Sequence, residues 1–336
     1  MRQPWPESPT RSNRQGTHQG IDDLSGPIDS LFTPPLPSAE EEIPDLTQVA
    51  TVRRLLRRHG VRLNKSFGQH LLVNRRALEQ IVEAAELGAD DAVLEVGAGM
   101  GVLTVELARR AKRVVAVELE QAILPVLYEV VRPYRNVEVI ARNLLEVDPV
   151  AVFGDQPYKF VANLPYYITA PTLRHFLESA NRPGRLVIMV QREVAERMVA
   201  TAGDLSLLGV SVQFYGHPRI VARVPAESFL PPPEVDSAIV RIDVYAQPAV
   251  NIANRDRFFR IVRAGFAQKR KQLHNALAAG FGLRADEAKS WLERAGIDPQ
   301  RRAETLSLED WRRLYEAFPR PGEAWVARDR GDEAGL

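Results

Sequence analysis

Residues 93–101 read Val-Leu-Glu-Val-Gly-Ala-Gly-Met-Gly, an apolar run that ends in closely spaced glycines. The apolar part is typical of a buried strand, and amphipathic spacing over about 102–111 predicts a helix directly afterwards. Glycine permits a tight turn and lets a ligand come close to the start of that helix. This strand, turn and helix therefore predict a site for a nucleotide-like cofactor.

The next apolar run, Val114–Val117, ends in Glu118. An acid at the end of the second strand of a strand-helix-strand unit can accept hydrogen bonds from both ribose hydroxyls. The glycines follow the pattern Gly-x-Gly-x-Gly, whereas dinucleotide sites use Gly-x-Gly-x-x-Gly, and no residue set for hydride transfer is evident. The pattern therefore disfavours a dinucleotide cofactor.

Apolar runs and helical segments continue to alternate along the chain. Strands are predicted at 137–141, 159–163 and 186–190, and helices at 74–86, 120–131, 170–180 and 193–200. This alternation predicts a doubly wound, mostly parallel α/β sheet. Ligands of such sheets bind at the carboxyl ends of the strands, where Gly97, Glu118, Asn143 and Asn163 fall.

After residue 200 the pattern changes. Residues 207–214 and 236–244 are rich in β-forming residues and predict paired late strands that give the sheet an antiparallel edge. The proline-rich segment between them predicts a rigid loop over the site. From about residue 251 onward, apolar residues recur at helical spacing, which predicts a small helical domain.

The strand at 159–163 runs into Asn163-Leu164-Pro165-Tyr166. The Asn163 amide oxygen and the Leu164 carbonyl could accept from an exocyclic amine, while Tyr166 offers a ring face to a flat base. Pro165 favours an extended Leu164 and so pre-sets that carbonyl. Taken alone, the stretch fits a simple strand and turn equally well, and Asn143 alone fits a turn as well as an adenine contact.

Charge is unevenly distributed although the formal net charge is only +1. No acidic residue occurs between Asp45 and Glu79, a stretch that contains Arg53, Arg54, Arg57, Arg58, Arg62, Lys65, Arg75 and Arg76. A second basic group, Lys269, Arg270 and Lys271, falls within the helical segment. Such stretches are usually solvated helix faces, but in the first one the absence of acids favours contacts with phosphates. The cations of the second group can be solvated, or they can line a second wall of a groove with the first.

Composition excludes several classes of protein. The chain has no cysteine, which excludes disulfides, thiolate metal sites and cysteine nucleophiles, and its six histidines show no metal-ligand spacing. No apolar segment is long enough for a membrane helix, and the amino terminus lacks a signal pattern. We therefore expect a cytoplasmic protein with no metal and no membrane partner.

Several motifs together resemble one family, the ribosomal RNA adenine dimethyltransferases, and most nearly those of the small (16S) subunit. The motifs are Glu95–Gly101, Asn163–Tyr166, Lys65–Leu72, Gln191–Val194 with Arg197, Phe229–Ser237, and Gly296–Pro299 with Arg302–Glu304. The resemblance runs from about residue 62 to 318. It implies a class I, Rossmann-like methyltransferase that dimethylates N6 of two adjacent adenosines near the 3′ end of 16S ribosomal RNA, in small-subunit biogenesis.

The resemblance also implies roles for single residues. S-adenosylmethionine would be the cofactor, held by His70, Leu72, Gly97, Gly99, Gly101, Glu118, Asn143 and Asn163. The catalytic clamp would be Asn163, Leu164, Pro165 and Tyr166, with Phe229 on the other face of the target base. His70 stands where this family usually has Asn, and Asn143 stands where it usually has Asp.

These observations divide the chain into four parts. We predict a disordered Pro-rich tail at 1–45, a methyltransferase domain with a basic amino-terminal segment at 46–247, a helical RNA-binding domain at 248–320, and a flexible tail at 321–336. The predicted RNA-backbone contacts are Arg53, Arg54, Arg57, Arg58, Lys65, Lys269, Arg270 and Lys271. We expect a monomer that binds 16S ribosomal RNA within the small subunit. The alternatives are a 23S ribosomal RNA dimethyltransferase and a non-catalytic ribosome-assembly factor.

Overall fold

The computed structural model describes residues 43–63 and 70–318. Both predicted tails, apart from residues 43–45, and Lys65 lie outside the described residues. The described strands are β1 (Leu71–Leu72), β2 (Ala92–Val96), β3 (Arg113–Val117), β4 (Val137–Ile140), β5 (Lys159–Asn163), β6 (Arg185–Gln191), β7 (Gly216–Val224), β8 (Phe229–Leu230) and β9 (Ser237–Val244).

The helices surround these strands on both sides. They are α1 (Val49–Arg58), α2 (Arg75–Ala85), α3 (Val102–Ala108), α4 (Leu124–Val131), α5 (Pro149–Phe153), α6 (Thr169–Glu178), α7 (Arg192–Val199), α8 (Leu207–Tyr215), α9 (Arg255–Phe266), α10 (Leu273–Phe281), α11 (Ala285–Arg294) and α12 (Leu308–Glu316). Side-chain caps start several of them: for example, Asn74 accepts a hydrogen bond from the Ala77 backbone N–H at the start of α2.

One sheet of seven strands forms the centre, in the order β4-β3-β2-β5-β6-β9-β7. The first five strands are parallel, and β9 and β7 complete the sheet as an antiparallel edge. From β2 the chain winds outward to β4 and then returns to β5 on the other side of β2. The switch point between β2 and β5 leaves a crevice at their carboxyl ends, where ligands of such folds bind. The predicted fold class and the antiparallel edge are confirmed.

The predicted strand at 207–214 is wrong, because these residues form the helix α8. Their alternation of apolar and polar residues imitates a strand, whereas in the fold α8 is buried on most sides and loses the amphipathic signal of a helix. Ser206 caps it by accepting from the Gly209 N–H. The edge strand is instead β7 (Gly216–Val224), whose exposed positions are His217, Arg219, Val221 and Arg223, three of them polar.

Apolar side chains form a core on each face of the sheet. Leu94, Phe160 and Ile188 face one side, and Val93, Val161 and Val187, which alternate with them, face the other. A third cluster lies under α1, whose Val52, Leu55 and Leu56 pack with residues of α3 and α4. The alternation places a layer of helices on both faces of the sheet.

Buried side chains of the carboxyl-terminal helices α9 to α12 pack in the same cluster as one face of the sheet. Phe258 and Trp311 belong to the same buried cluster as Leu94 and Phe160 of the sheet. The predicted division at residue 248 therefore separates two segments that share apolar packing. No helix in the described ranges is long and apolar enough to cross a membrane.

Candidate functional site

The turn after β2 is built on glycines with positive φ angles. The φ values are +72° at Gly97, +57° at Gly99 and +91° at Gly101. A side chain at Gly101 would lie 3.0 Å from Cδ1 of Leu127, and one at Gly97 would lie 3.4 Å from the Asn163 carbonyl oxygen. Glycine is therefore required here both for the backbone conformation and for the close packing of this turn against α4 and β5.

Glu118, at the end of β3, binds the glycine turn directly. Its Oε2 accepts from the Gly99 N–H at 2.8 Å, and its Oε1 accepts from the N–H groups of Leu119 and Glu120, both at 2.9 Å. A carboxylate has about four acceptor positions, so these bonds leave about one for a ligand. Glu118 thus orients the turn at the wall of the cavity, and its predicted contacts with ribose hydroxyls stay a prediction.

Asn143 follows β4 and begins a short 3-10 helix at Leu144–Glu146. Its Oδ1 accepts from the Leu145 N–H at 3.1 Å, which fixes the side chain beside the cavity. An amide oxygen has a second lone pair that could accept from an adenine amine. Asn143 therefore caps the turn and also lines the cavity, and its contact with an adenine stays a prediction.

The segment Asn163–Tyr166 leaves β5 at the centre of the sheet. Nδ2 of Asn163 donates to the His70 carbonyl at 3.3 Å, which leaves Oδ1 of this amide as the acceptor. Leu164 is held by its N–H, which donates to the Met189 carbonyl of β6 at 3.2 Å. Pro165 has φ −56° and ψ 133°, and a 3-10 turn over Tyr166–Ile168 follows it.

The amino-terminal residues His70 and Leu72 close one side of this site. β1 pairs antiparallel with β8, so that Leu71 is opposite Leu230 and Leu72 opposite Phe229. Nδ1 of His70 lies 2.7 Å from the Pro231 carbonyl oxygen, an acceptor, so this nitrogen donates and carries a proton. The proline-rich segment therefore lies beside the site, as the sequence suggests.

A cavity of about 350 Å³ lies between these elements. This volume is within the range of small-molecule sites. Of the predicted site residues, His70, Leu72, Gly97, Gly99, Glu118, Asn143, Asn163, Leu164, Pro165 and Tyr166 line it. Gly101 does not line the cavity and instead packs behind the turn against Leu127 and Val130.

Phe229, predicted from the family resemblance to contact the target base, packs in the core. It is 3% exposed and belongs to the core cluster that contains Leu78, Val224 and Ile239, and it does not line the cavity. The pairing of β8 with β1 holds the Phe229 backbone beside Leu72 and lets its ring pack inward. In this structure, therefore, Phe229 packs as a core residue, and its contact with a target base stays a prediction.

Glu95 is a cavity residue that the sequence analysis did not single out as a site residue. It lies on β2, is 1% exposed and lines the cavity, and its Oε2 has no hydrogen-bond partner in the part of the chain that the structure describes. Burial raises the pKa of Glu95 to about 8, the charge of Glu118 adds to this rise, and Thr104 opposes it. The signal in the sequence that could have identified Glu95 is an acidic residue within an otherwise apolar strand.

Helix α1 supplies a second part of the wall that sequence reasoning missed. Leu46, just before it, and Val52 within it both line the cavity. The opposite face of α1 carries the exposed cations Arg53, Arg54, Arg57 and Arg58. Arg58 pairs with Glu129 of α4, whereas no ion pair is found for the other three among residues 43–63 and 70–318. The helix therefore joins a cavity wall to a basic surface.

The second predicted basic group lies in the loop between α9 and α10. Lys269, Arg270 and Lys271 are all exposed, and none forms an ion pair with another described residue. His274, which the sequence places close to them, is buried, and its Nδ1 donates to the Pro299 carbonyl at 2.8 Å. His274 is therefore part of the packing of the helical segment, and the exposed charge comes from the three cations.

Comparison with known proteins adds independent information. A sequence model of the family described as ribosomal RNA adenine dimethylase matches residues 60–319. The chain is 46% identical over 267 residues to ribosomal RNA small subunit methyltransferase A of Dehalococcoides mccartyi strain 195, covering 79% of this chain and 92% of that protein. The protein of the same name from Pelotomaculum thermopropionicum is 43% identical over 282 residues, covering 80% and 96%.

Solved structures show the same architecture. A dimethyladenosine transferase from Plasmodium falciparum superposes with a TM-score of 0.63 at 28% identity, covering 73% of this chain and 96% of that one. The 23S rRNA methyltransferase ErmE superposes with a TM-score of 0.59 at 29% identity, covering 74% and 98%.

Proposed function

This chain belongs to the ribosomal RNA adenine dimethylase family, and from that premise we propose that it methylates N6 of two adjacent adenosines near the 3′ end of 16S ribosomal RNA. The product would be N6,N6-dimethyladenosine, formed during small-subunit biogenesis. The observation that carries this proposal is the position of Asn163–Tyr166 in the wall of a cavity that also contains the glycine turn and Glu118.

The donor would be S-adenosylmethionine, and the residues present fit it. The glycine turn presents backbone close to the cavity, Glu118 keeps an acceptor position for a ribose hydroxyl, and Asn143 has one for the adenine amine. Leu119 and Leu145, which line the cavity and are unusually exposed for leucines, would cover the adenine ring. When bound, this cofactor supplies an electrophilic methyl group.

The clamp would prepare the adenine amine for transfer. The lone pair of N6 is delocalised into the ring, so the amine has to be rotated before it can accept a methyl group. Oδ1 of Asn163 and the Leu164 carbonyl would accept from the two N–H groups, while Tyr166 stacks the base removed from its neighbours. Catalysis would then rest on positioning and charge environment, with no covalent intermediate on the protein.

RNA would approach over the basic surfaces. Arg53, Arg54 and Arg57 on α1, together with the loop at 269–271, are exposed cations without acidic partners among the described residues. Contacts of these side chains with phosphates would orient the RNA without reading its sequence. Lys65, also predicted here, lies outside the described residues. The predictions of a cytoplasmic, monomeric protein that requires no metal stay predictions.

The alternative from the same family is methylation of 23S ribosomal RNA. ErmE shares the fold at 29% identity, but the small-subunit methyltransferases are 43–46% identical over most of their length. The third possibility, a non-catalytic assembly factor, is disfavoured because Glu118 and Asn163 both face the cavity. The similarity to the small-subunit enzymes is therefore the observation that favours methylation of 16S over 23S ribosomal RNA.

One experiment tests the proposal and both alternatives. Purified protein is incubated with S-adenosylmethionine and, in separate reactions, small subunits or large subunits that lack the modification, and primer extension maps the methylated adenosines. We expect a stop at both positions with wild-type protein and none with Asn163→Ala, which should still bind the cofactor in calorimetry. Methylation of large-subunit RNA alone would support the alternative, and no methylation of either subunit would contradict enzymatic function.

A further inference from the structure

Tyr166 is anchored at its phenol by a residue far away in sequence. Its hydroxyl lies 2.8 Å from Oγ of Ser237, the first residue of β9. Ser237 is 0% exposed, whereas Tyr166 is half-buried and lines the cavity. A buried hydroxyl on a central antiparallel strand is a rigid point, because β9 is hydrogen-bonded to β6 on one side and to β7 on the other.

The residues just before Ser237 in the chain also hold the ring that faces Tyr166. The imidazole of His70 is stacked with Tyr166 at a centroid distance of 6.1 Å and an interplanar angle of 24°. Its Nδ1 donates to the Pro231 carbonyl, six residues before Ser237 in the chain. Residues 231–237 therefore contact both rings at this wall of the cavity, through a backbone carbonyl and a hydroxyl.

This geometry changes how the segment 229–237 relates to the target base. Phe229 was expected to stack on the base, but its ring lies in the core. What the segment does offer is control of ring orientation, because a tyrosine fixed at its hydroxyl cannot change rotamer without breaking that hydrogen bond. Burial raises the pKa of the Tyr166 phenol, so the hydroxyl stays protonated at neutral pH.

We propose that Ser237 is a positioning residue for the transfer reaction, and that its hydroxyl fixes the plane of the Tyr166 ring on which the target adenine stacks. The inference rests on the proposed function, because it gives the hydrogen bond between Ser237 and Tyr166 a role in positioning the target base. Stacking is sensitive to the angle between the rings, and the amine of the base must also reach Asn163. A tilted Tyr166 would hold the base in an orientation in which methyl transfer to its N6 is slow.

The test compares four variants with wild type: Ser237→Ala, Tyr166→Phe, their double mutant, and Ser228→Ala as matched control. Ser228 is also a buried serine, one residue before the segment 229–237, but its Oγ accepts from Nδ2 of Asn74. For each protein, kcat and KM for RNA are measured, and cofactor affinity is measured by calorimetry. Equal thermal stability is checked by melting.

We expect Ser237→Ala and Tyr166→Phe each to lower kcat about three- to tenfold, as the loss of one hydrogen bond implies. The double mutant should be no worse than either single one, because both remove the same interaction. Cofactor affinity should change less than about twofold, and Ser228→Ala should keep wild-type kcat. Independent, multiplicative losses, or wild-type kcat in Ser237→Ala, would overturn the proposal.

A second measurement does not depend on activity. With 3-fluorotyrosine at position 166, the anchored ring should give one narrow fluorine resonance in wild type and in Ser228→Ala. Ser237→Ala should broaden or split it, because the ring gains other orientations. An unchanged resonance would contradict the anchor even if RNA were methylated. If wild type did not methylate RNA at all, the proposed function would fail while this spectrum still decided whether the anchor exists.

Discussion

At the scale of single residues, Glu95 shows how burial changes the chemistry of a side chain. It belongs to an apolar parallel strand and lies close enough to Glu118 for the two charges to repel each other. The pKa of Glu95 is raised from 4.5 to about 8. At neutral pH the protonated form of Glu95 therefore predominates in the folded protein.

This shift predicts a pH-dependent stability. Between pH 4.5 and 8 the folded protein retains a proton that the unfolded chain releases, so the stability from Glu95 is fully present below pH 4.5 and is lost as pH rises to 8. The variant Glu95→Gln cannot ionise. Its free energy of unfolding relative to wild type should rise by about 1.4 kcal/mol per pH unit between pH 5.5 and 7.5. Urea unfolding at several pH values measures this.

The control for Glu95 is Glu227→Gln, which changes an exposed carboxyl group in the same way. Its free energy of unfolding relative to wild type should stay constant over that pH range. A constant difference for Glu95→Gln as well would show that Glu95 is ionised in the folded protein. In that case its neighbours, and not protonation, would have to compensate for its burial.

At the scale of elements, an ionic cluster joins the end of α2 to the strands β6 and β9. Glu86, in the left-handed conformation with φ 47°, ends α2 and accepts from Arg241 and from Arg185, the latter at 2.7 Å. Asp243 binds the same two arginines. Arg185 begins β6, so the cluster lies at the amino ends of the parallel strands, on the opposite edge of the sheet from the cavity.

The cluster predicts a loss of stability in acid. Hydrogen bonds from Arg241 and Arg185 lower the pKa of Glu86 from 4.5 to about 2, so its contribution is present above pH 4.5 and is lost as pH falls toward 2. At pH 7 Glu86→Gln should melt at a lower temperature than wild type, and the difference should shrink through this window. Calorimetry measures it, with Glu227→Gln as control. A difference that persists unchanged at pH 2 would contradict the role of the charge.

Helix α1 is the element that combines a buried and a basic face. Replacing Arg53, Arg54 and Arg57 together by Ala should weaken binding of small-subunit RNA and leave cofactor affinity unchanged, because these side chains point away from the cavity wall formed by Val52. The slope of log K against log salt should become shallower by about 0.7 to 0.9 for each cation that contacts a phosphate. Filter binding between 50 and 200 mM salt, about the range in which such contacts weaken, measures it.

The matched control for α1 is Arg174→Ala, since Arg174 is also exposed but pairs with Glu178 on the same helix, at 3.1 Å. That variant should keep the wild-type slope. An unchanged slope in the triple variant would mean that the basic face of α1 is a solvated surface, the alternative that the sequence left open.

At the scale of the whole molecule, the sheet and the carboxyl-terminal helices share one core. Phe258 of α9 is 0% exposed and lies 5.2 Å from the ring of Phe214 in α8 and the same distance from Phe259. Apolar packing across this boundary couples the two segments, because opening one exposes buried surface of the other. We therefore expect the helical segment to unfold together with the sheet.

This packing predicts that Phe258→Ala destabilises the whole molecule by about 3 to 5 kcal/mol. Native-state hydrogen exchange can follow the amides of β2 and β5 separately from those of α9 to α12. Protection should fall by the same factor in both groups. Loss of protection confined to the helices would show that they unfold as an independent domain, as the predicted boundary at residue 248 would allow.

The sequence by itself determined the doubly wound sheet, the glycine turn, the acid that follows β3 and the motif that follows β5. These features are local, because the periods of strands and helices and the conformational freedom of glycine are properties of short segments. They suffice to place Gly97, Glu118, Asn143 and Asn163 at the same edge of the sheet. The family resemblance could likewise be recognised from the sequence, because its motifs are short local stretches.

Only the tertiary structure decided the helix at 207–215, the burial of Phe229 and the anchor between Ser237 and Tyr166. Each depends on contacts between residues distant in sequence: α8 is buried on most sides, β8 pairs with β1, and β9 brings Ser237 to the clamp. The protonation of Glu95 likewise follows from burial within the folded sheet. No local pattern encodes these features, because burial and strand pairing are set by the assembled chain.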